Sequence, residues 1–120
     1  HRKHAYLYDP AGASNWMARW FFTGGIMPSL DLLGHFQKDL ELTESWFIDG
    51  THYEITSEAW LQNMDAHLDE VRSLFRQVYG PEEALRWVNR WRMFFLACAE
   101  VFAHRGGQEW GVAHYLFRKP

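Results

Sequence analysis

The feature that most restricts the fold is the pair Gly80-Pro81, which divides a long stretch of helical periodicity into two segments. Glycine accepts the left-handed conformation that ends many helices, and proline cannot continue a helix. Before this pair, Thr56 and Ser57 are typical helix caps. One apolar stripe follows them at helical spacing: Trp60, Met64, Leu68, Val71, Phe75 and Val78. The sequence therefore predicts a first long helix from about Thr56 to Gly80.

A second long helix is predicted from Pro81 to about His104, where Gly106-Gly107 ends it. Its apolar residues lie on nearly every side: Leu85, Trp87, Val88, Trp91, Phe94, Phe95, Leu96, Val101 and Phe102. A helix with this pattern is typically buried on more than one face.

Strand patterns flank the two helices. Residues Leu40–Ile48 alternate in part and are closed by Asp49-Gly50, and Val112–Phe117 forms a final strand. Two strands alone make a marginal sheet, so we expect them to join a larger one. Earlier in the chain, Trp16–Phe22 predicts a short helix, and Ser29 is expected to cap another that contains Leu30, Leu33 and Phe36.

The composition excludes several classes of function. The net charge is −3 and there is no basic stripe, so binding to nucleic acid has no electrostatic support. The lone Cys98 excludes an internal disulfide, and no Cys/His cluster has the spacing of a zinc site. No segment predicts a signal peptide or a membrane span. We therefore expect a cytoplasmic protein with at most peripheral membrane contact.

Several short motifs follow one another in a family-specific order. They are Phe21-Phe22-Thr23-Gly24-Gly25, Met27-Pro28-Ser29, Gly50-Thr51-His52-Tyr53, Tyr79-Gly80, Trp91-Arg92, Phe94-Phe95, Ala99-Glu100, Glu109-Trp110, Ala113-His114 and Leu116-Phe117. In this order they resemble the C-terminal region of the cyclopropane-fatty-acid-synthase-like methyltransferases, and most closely the coclaurine N-methyltransferase-like branch.

The resemblance implies the C-terminal part of a Rossmann-like class I methyltransferase fold, of the α/β class, mostly helical with two strands. The family binds S-adenosylmethionine in its N-terminal half, whose Gly-rich turn has no counterpart in these residues. The two predicted strands would then be the last two of the sheet, and His1-Arg2 would follow its fifth strand. We interpret the chain as an excerpt of a longer protein: one partial domain with a loop or lid region (1–28), a helix and strand (29–48), two substrate-side helices (55–104) and a final strand (109–119).

Aromatic residues are the first candidates for the substrate site. Trp91 and Phe94 lie one turn apart on the second long helix, which lines the acceptor site in the family. An aromatic face suits an amine that becomes cationic. Core packing is the alternative role for both. Tyr53 is the candidate catalytic residue, because it resembles a family tyrosine that helps to hold a bicarbonate ion. Its alternative role is to anchor the loop before the first long helix.

Three further residues are predicted to contact the substrate. Phe22 and Met27 would provide apolar cover from a lid hinged at paired glycines, although the segment could equally be a connecting loop. Glu100 lies in an apolar stretch, where a buried carboxylate needs a partner. That partner would be either Arg92 or an amine substrate.

The resulting functional hypothesis is the acceptor-binding part of a methyltransferase that acts on an amine or on the double bond of a lipid acyl chain. The isolated chain would be inactive without the missing N-terminal half that holds the cofactor. Arg90 stands where the alkaloid branch often has an aromatic residue. The alternative is a stand-alone aromatic binding module, or a homodimer joined through unpaired strand edges.

Overall fold

Residues 3–12 and 15–120 are described by a computed structural model. Within these described residues, nine elements follow one another. They are β1 (Tyr6–Leu7), α1 (Trp16–Trp20), β2 (Ile26–Met27), a 3-10 helix (Leu32–His35), β3 (Glu41–Asp49), α2 (Thr51–Ala66), α3 (Leu68–Tyr79), α4 (Ala84–Ala103) and β4 (Gly111–Arg118). His1 and Arg2, which the family resemblance places after a strand, lie outside the described residues.

Strands β3 and β4 pair with each other in an antiparallel ladder that runs from Glu41 opposite Arg118 to Asp49 opposite Gly111. The ladder has one irregularity, between Leu42 and Glu44. Side chains of β4 alternate between exposed and partly buried, as expected for a sheet with one covered face. Both predicted strands are confirmed to within one residue at each end.

The first predicted long helix is wrong in its start and in its continuity. Helix α2 begins at Thr51 because the Asp49 carboxylate accepts hydrogen bonds from the backbone N–H and the hydroxyl of Thr51. Thr56 lies inside the helix, and its hydroxyl donates to the carbonyl of His52 rather than capping an end. The helical path breaks at His67, where ψ is 31° and the ring nitrogen Nδ1 lies 2.9 Å from the Asn63 carbonyl oxygen. Helix α3 then continues to Tyr79.

The predicted helix after Ser29 is also wrong, because the segment forms only the short 3-10 helix. The hydroxyl of Ser29 donates to the side chain of Asp31 at 2.7 Å instead of capping the backbone. The short helix α1 and the long helix α4 are confirmed. Helix α4 begins a few residues after Pro81, because residues 81–83 form a turn.

Helix α4 is the centre of the packing, with α2 and α3 against it. Ser57, which is fully buried, and Met64 are the buried residues of α2. On α4 the buried side chains are Ala84, Val88, Cys98, Ala99 and Phe102. None of the helices in the described part of the chain is long and apolar enough to cross a bilayer.

The turn between β3 and α2 is hydrogen-bonded to the turn between α4 and β4. The N–H of Gly50, between β3 and α2, donates to the carbonyl of Gly107, between α4 and β4, at 2.9 Å. Arg105, Gly106 and Gly107 all have positive φ, so the chain reverses sharply after α4. Gly107 is also required by space, because a Cβ there would lie 2.6 Å from the backbone nitrogens of Gly50 and Thr51.

The N-terminal segment folds back on itself. Strands β1 and β2 pair antiparallel, with Tyr6 opposite Met27 and Leu7 opposite Ile26. The pairing extends through the N–H of Tyr8, which donates to the Gly25 carbonyl at 3.0 Å. Sequence analysis missed this small sheet. The role of residues 1–28 as a lid stays a prediction.

Candidate functional site

A cavity of about 210 Å³ lies between the N-terminal segment and helices α2 and α4. Its lining residues are Tyr8, Met17, Phe22, Met27, Tyr53, Ala97, Cys98, Val101 and Phe102. We call it the inner cavity. It brings together three of the residues predicted from the sequence: Phe22, Met27 and Tyr53.

Local structure explains why these three side chains meet. The N–H of Gly25 donates to the Phe22 carbonyl at 2.8 Å, and this turn leads directly into β2, which ends at Met27. Tyr53 lies in the first turn of α2, and its ring meets that of Phe102 edge to face, with centroids 4.5 Å apart. The start of α2 at Thr51 therefore places Tyr53 against α4.

A second cavity of about 300 Å³ adjoins the first, and we call it the outer cavity. It is lined by Tyr6, Tyr8, Asn15, Trp16, Met17, Ala18, Met27, Val101 and Trp110. Four residues border both cavities: Tyr8, Met17, Met27 and Val101. The two spaces are therefore neighbours that share one wall.

The inner cavity is uncharged at neutral pH. Burial raises the pKa of Tyr8 and of Tyr53, so both phenols keep their protons. Burial also raises the pKa of the Cys98 thiol to about 11. A thiol in this state is a poor nucleophile. The lining residues thus offer hydroxyl donors and aromatic faces, with no carboxylate and no cationic side chain.

Trp91 and Phe94 are placed beside the two cavities and do not line either of them. The ring of Phe94 stacks on Phe21 with centroids 4.5 Å apart, and Trp91 meets Phe21 edge to face at 5.0 Å. Phe94 also lies 5.7 Å from Phe22. These rings hold the N-terminal segment on α4. The indole N–H of Trp91 is buried and finds no hydrogen-bond acceptor among the described residues.

The alternative that Glu100 pairs with Arg92 is wrong. Arg92 instead binds Asp65 of α2 through two hydrogen bonds, of 2.7 and 2.9 Å. Glu100 is exposed. Arg92 and Glu100 are more than two helical turns apart, because one turn takes about 3.6 residues, so they do not face each other. A substrate contact of Glu100 stays a prediction.

Sequence analysis missed an aromatic stack that anchors α1. The guanidinium carbon of Arg90 lies 3.6 Å from the ring centroid of Trp20 and 4.8 Å from that of Trp87. Trp87 in turn stacks on Tyr79, with centroids 4.2 Å apart. Arg90 therefore joins α1 to α4.

It also missed Tyr8, Met17 and Val101 as cavity residues. Tyr8 and Met17 reach the cavity through the fold-back of β1 on β2, which no sequence periodicity marks. Strands of two residues are too short for alternation to show in the sequence.

The residues present do not fit the ribose hydroxyls and the ammonium group of S-adenosylmethionine, for which carboxylates are suitable acceptors. The described lining residues of the two cavities include no Asp or Glu, and Asn15 of the outer cavity is their one side-chain amide. At the N-terminus of α2, the N–H of Thr51 is already bonded to Asp49. Within residues 3–12 and 15–120, no group of three or more His, Cys, Asp or Glu side chains is arranged to hold a metal ion.

Known proteins resemble the chain along its whole length. It is 35% identical over 122 residues to (S)-coclaurine N-methyltransferase of Papaver somniferum, a match that covers 99% of the chain and 35% of that protein. Pavine N-methyltransferase of Thalictrum flavum subsp. glaucum is 31% identical, with 99% of the chain and 34% of the relative covered. The chain thus spans about a third of the length of these relatives. No protein-family model matches it.

The fold leads to the same group of proteins. A crystal structure of coclaurine N-methyltransferase bound to N-methylheliamine and SAH superposes with a TM-score of 0.85, covering 99% of this chain and 35% of that one at 35% identity. The four helices and two small sheets are those of the C-terminal part of a Rossmann-like class I methyltransferase fold. In sequence and in fold, the chain is a homologue of the S-adenosylmethionine-dependent methyltransferases of the coclaurine N-methyltransferase-like branch.

Proposed function

We propose that this chain is the acceptor-binding part of an S-adenosylmethionine-dependent N-methyltransferase that acts on a cyclic amine. The observation that carries the proposal is the uncharged, aromatic inner cavity between the N-terminal segment and α4. The relatives are coclaurine and pavine N-methyltransferases, which favours an amine over the double bond of a lipid acyl chain. S-adenosylmethionine would supply the methyl group.

An uncharged cavity suits a nucleophilic amine, which reacts only through its unprotonated nitrogen. Burial in a medium of low dielectric constant disfavours the ammonium form of the acceptor. No lining carboxylate is present to reverse that effect. Positive charge that develops on the nitrogen would lie among the rings of Tyr8, Phe22, Tyr53 and Phe102. A desolvated cation on such a face gains about 2 kcal/mol.

The individual side chains would have different tasks. Tyr53 keeps its proton and can donate a hydrogen bond that orients the acceptor. Phe22 and Met27 would close the cavity against water. Trp91 and Phe94 line neither cavity, so they would act by holding the lid on α4 through Phe21. Their predicted contact with the acceptor stays a prediction. Binding of bicarbonate by Tyr53 stays a prediction. Among the lining residues that the structure describes, an anion would find the hydroxyl groups of Tyr8 and Tyr53 but no cationic side chain.

We further infer that the cofactor is held by residues equivalent to the part of the relatives that this chain does not cover. The described lining residues of the cavities include no carboxylate to accept from the cofactor, and the relatives are about three times as long as the chain. By itself the chain would then bind the acceptor and would not methylate it.

A chimera tests the proposal directly. The matching segment of the Papaver somniferum enzyme is replaced by this chain, and methyl transfer to a bicyclic secondary amine is measured by mass spectrometry. We expect N-methylated product. Tyr53→Phe should lower kcat/KM about tenfold, because the loss of one hydrogen bond of about 1.4 kcal/mol corresponds to that factor. Tyr79→Phe is the matched control, since Tyr79 stacks on Trp87 outside the inner cavity.

Binding of SAH to the chimera, measured by calorimetry, shows that the hybrid is folded. A chimera that binds SAH and methylates no amine would refute the proposed function. Equal losses in Tyr53→Phe and Tyr79→Phe would refute the role of Tyr53 alone.

A further inference from the structure

The wall between the two cavities contains two methionines on separate elements. Met17 comes from α1, and Met27 ends β2. Each of them borders both the inner and the outer cavity. A ligand that extends from one space into the other must therefore pass these two side chains.

The other two residues of the wall have less freedom. The ring of Tyr8 lies 4.7 Å from that of Phe22 and 5.1 Å from that of Tyr6, and its N–H is bonded to Gly25. Val101 is β-branched and sits on α4, which leaves it essentially one side-chain rotamer. Methionine has an unbranched side chain with several rotatable bonds and adapts to gaps of irregular shape. The adjustable part of the wall is therefore Met17 and Met27.

The volumes indicate how much of a ligand each space can hold. An engineered apolar cavity of about 150 Å³ holds one benzene molecule. The inner cavity, at about 210 Å³, matches a fused bicyclic amine. The outer cavity, at about 300 Å³, has room for a further ring and is lined by the aromatic residues Tyr6, Trp16 and Trp110.

We propose that Met17 and Met27 are specificity-determining residues, which form a movable partition that decides whether an acceptor can extend a second ring from the inner into the outer cavity. The inference rests on the proposed function for the identity of the ligand as an amine acceptor. Beyond that function, the inference names the residues that limit how large an acceptor can bind.

Binding to the chain itself tests the partition without any methyl transfer. The chain contains four methionines, so methyl-¹³C-methionine labelling gives four signals, from Met17, Met27, Met64 and Met93. Two probes are titrated: a bicyclic secondary amine, and the same amine carrying a benzyl group. We expect both probes to shift the signals of Met17 and Met27. The buried Met64 and the exposed Met93 serve as internal controls.

A variant then separates the two cavities. Met17→Phe fills the passage, so we expect the benzyl-bearing probe to lose about tenfold in affinity, which corresponds to about 1.4 kcal/mol. Because Met17 also borders the inner cavity, we expect the bicyclic probe to lose less affinity than the benzyl-bearing probe, so that the ratio of the two affinities changes. Met17→Leu, which nearly preserves volume, should bind both probes as the unchanged chain does. Met93→Phe, on the exposed side of α4, is the control for an added ring elsewhere.

Three outcomes would overturn the partition: no binding of either probe, shifts confined to Met64 or Met93, or an equal loss for both probes in Met17→Phe. The proposed function is judged separately, by the product of the chimera. A chimera that methylates amines while Met17→Phe leaves the ratio of the two affinities unchanged would keep the function and discard the partition.

Discussion

At the scale of single residues, Gly107 has the clearest physical constraint in this chain. Its φ is +74°, and a Cβ would lie 2.6 Å from two backbone nitrogens, so the position excludes side chains for two separate reasons. Gly106 has φ +63° with nothing within 4 Å of a Cβ. An alanine at position 106 would therefore meet only the cost of the left-handed backbone, whereas an alanine at position 107 would also meet the cost of the steric clash.

We expect Gly106→Ala to lower the free energy of unfolding by about 1 kcal/mol, the cost of a left-handed alanine. Gly107→Ala should cost at least about 3 kcal/mol, because backbone atoms of Gly50 and Thr51 must also move. Urea denaturation of both variants measures the difference. Similar losses in the two variants would show that the contact between the turns carries little energy.

At the scale of elements, the attachment of α1 to α4 holds in place the part of the cavity lining that α1 supplies. A helix of five residues has little stability of its own, so α1 depends on its contacts. Arg90 between Trp20 and Trp87 supplies one of them. Phe21 against Phe94 supplies another.

Arg90→Ala should therefore loosen α1 more than it destabilises the whole chain. We expect hydrogen exchange at the Phe21 amide, which is bonded to the Met17 carbonyl, to become about tenfold faster, as the loss of a desolvated cation–aromatic contact predicts. Arg86→Ala is the control, because Arg86 forms an exposed ion pair with Glu83, a carboxylate that also lies 3.8 Å from Arg90. The same acceleration in both variants would contradict the role of Arg90.

The elements also show what could be read from sequence. Strands β3 and β4 and helix α4 were predictable because alternation and Gly/Pro punctuation are local signals. The start of α2 was missed although Asp49, two residues before Thr51, marks it locally, because Thr56 and Ser57 offered a more familiar capping pattern. The break at His67 has no Gly or Pro to mark it.

The site was only partly predictable for the same reason. Tyr53 followed from a family resemblance, and Phe22 and Met27 followed from their place beside paired glycines. The structure places all three on one cavity. Tyr8 and Met17 join them through the pairing of β1 with β2, two strands of two residues each, which are too short to leave a periodic signal. Glu100 was misjudged because an apolar sequence context does not show which face of a helix is covered.

At the scale of the whole molecule, neither of the two cavities beside the N-terminal segment, as the described residues line them, offers a carboxylate to the ammonium group of the cofactor. We expect calorimetric titration of S-adenosylmethionine into the chain, shown to be folded by circular dichroism, to release no heat of binding. Micromolar affinity would contradict this expectation and favour the alternative of a self-sufficient or dimeric site. A mass that rises with protein concentration would identify the dimer.

The bond between Gly50 and Gly107 has a consequence for synthesis on the ribosome. Tyr53 is positioned by the first turn of α2, yet the N–H of Gly50, just before that helix, finds its acceptor only in a residue that follows α4. During translation, Tyr53 therefore emerges long before this acceptor does. The inner cavity is also lined by Ala97, Cys98, Val101 and Phe102 of α4, so a ribosome stalled within α4 would carry helical segments without a complete binding site.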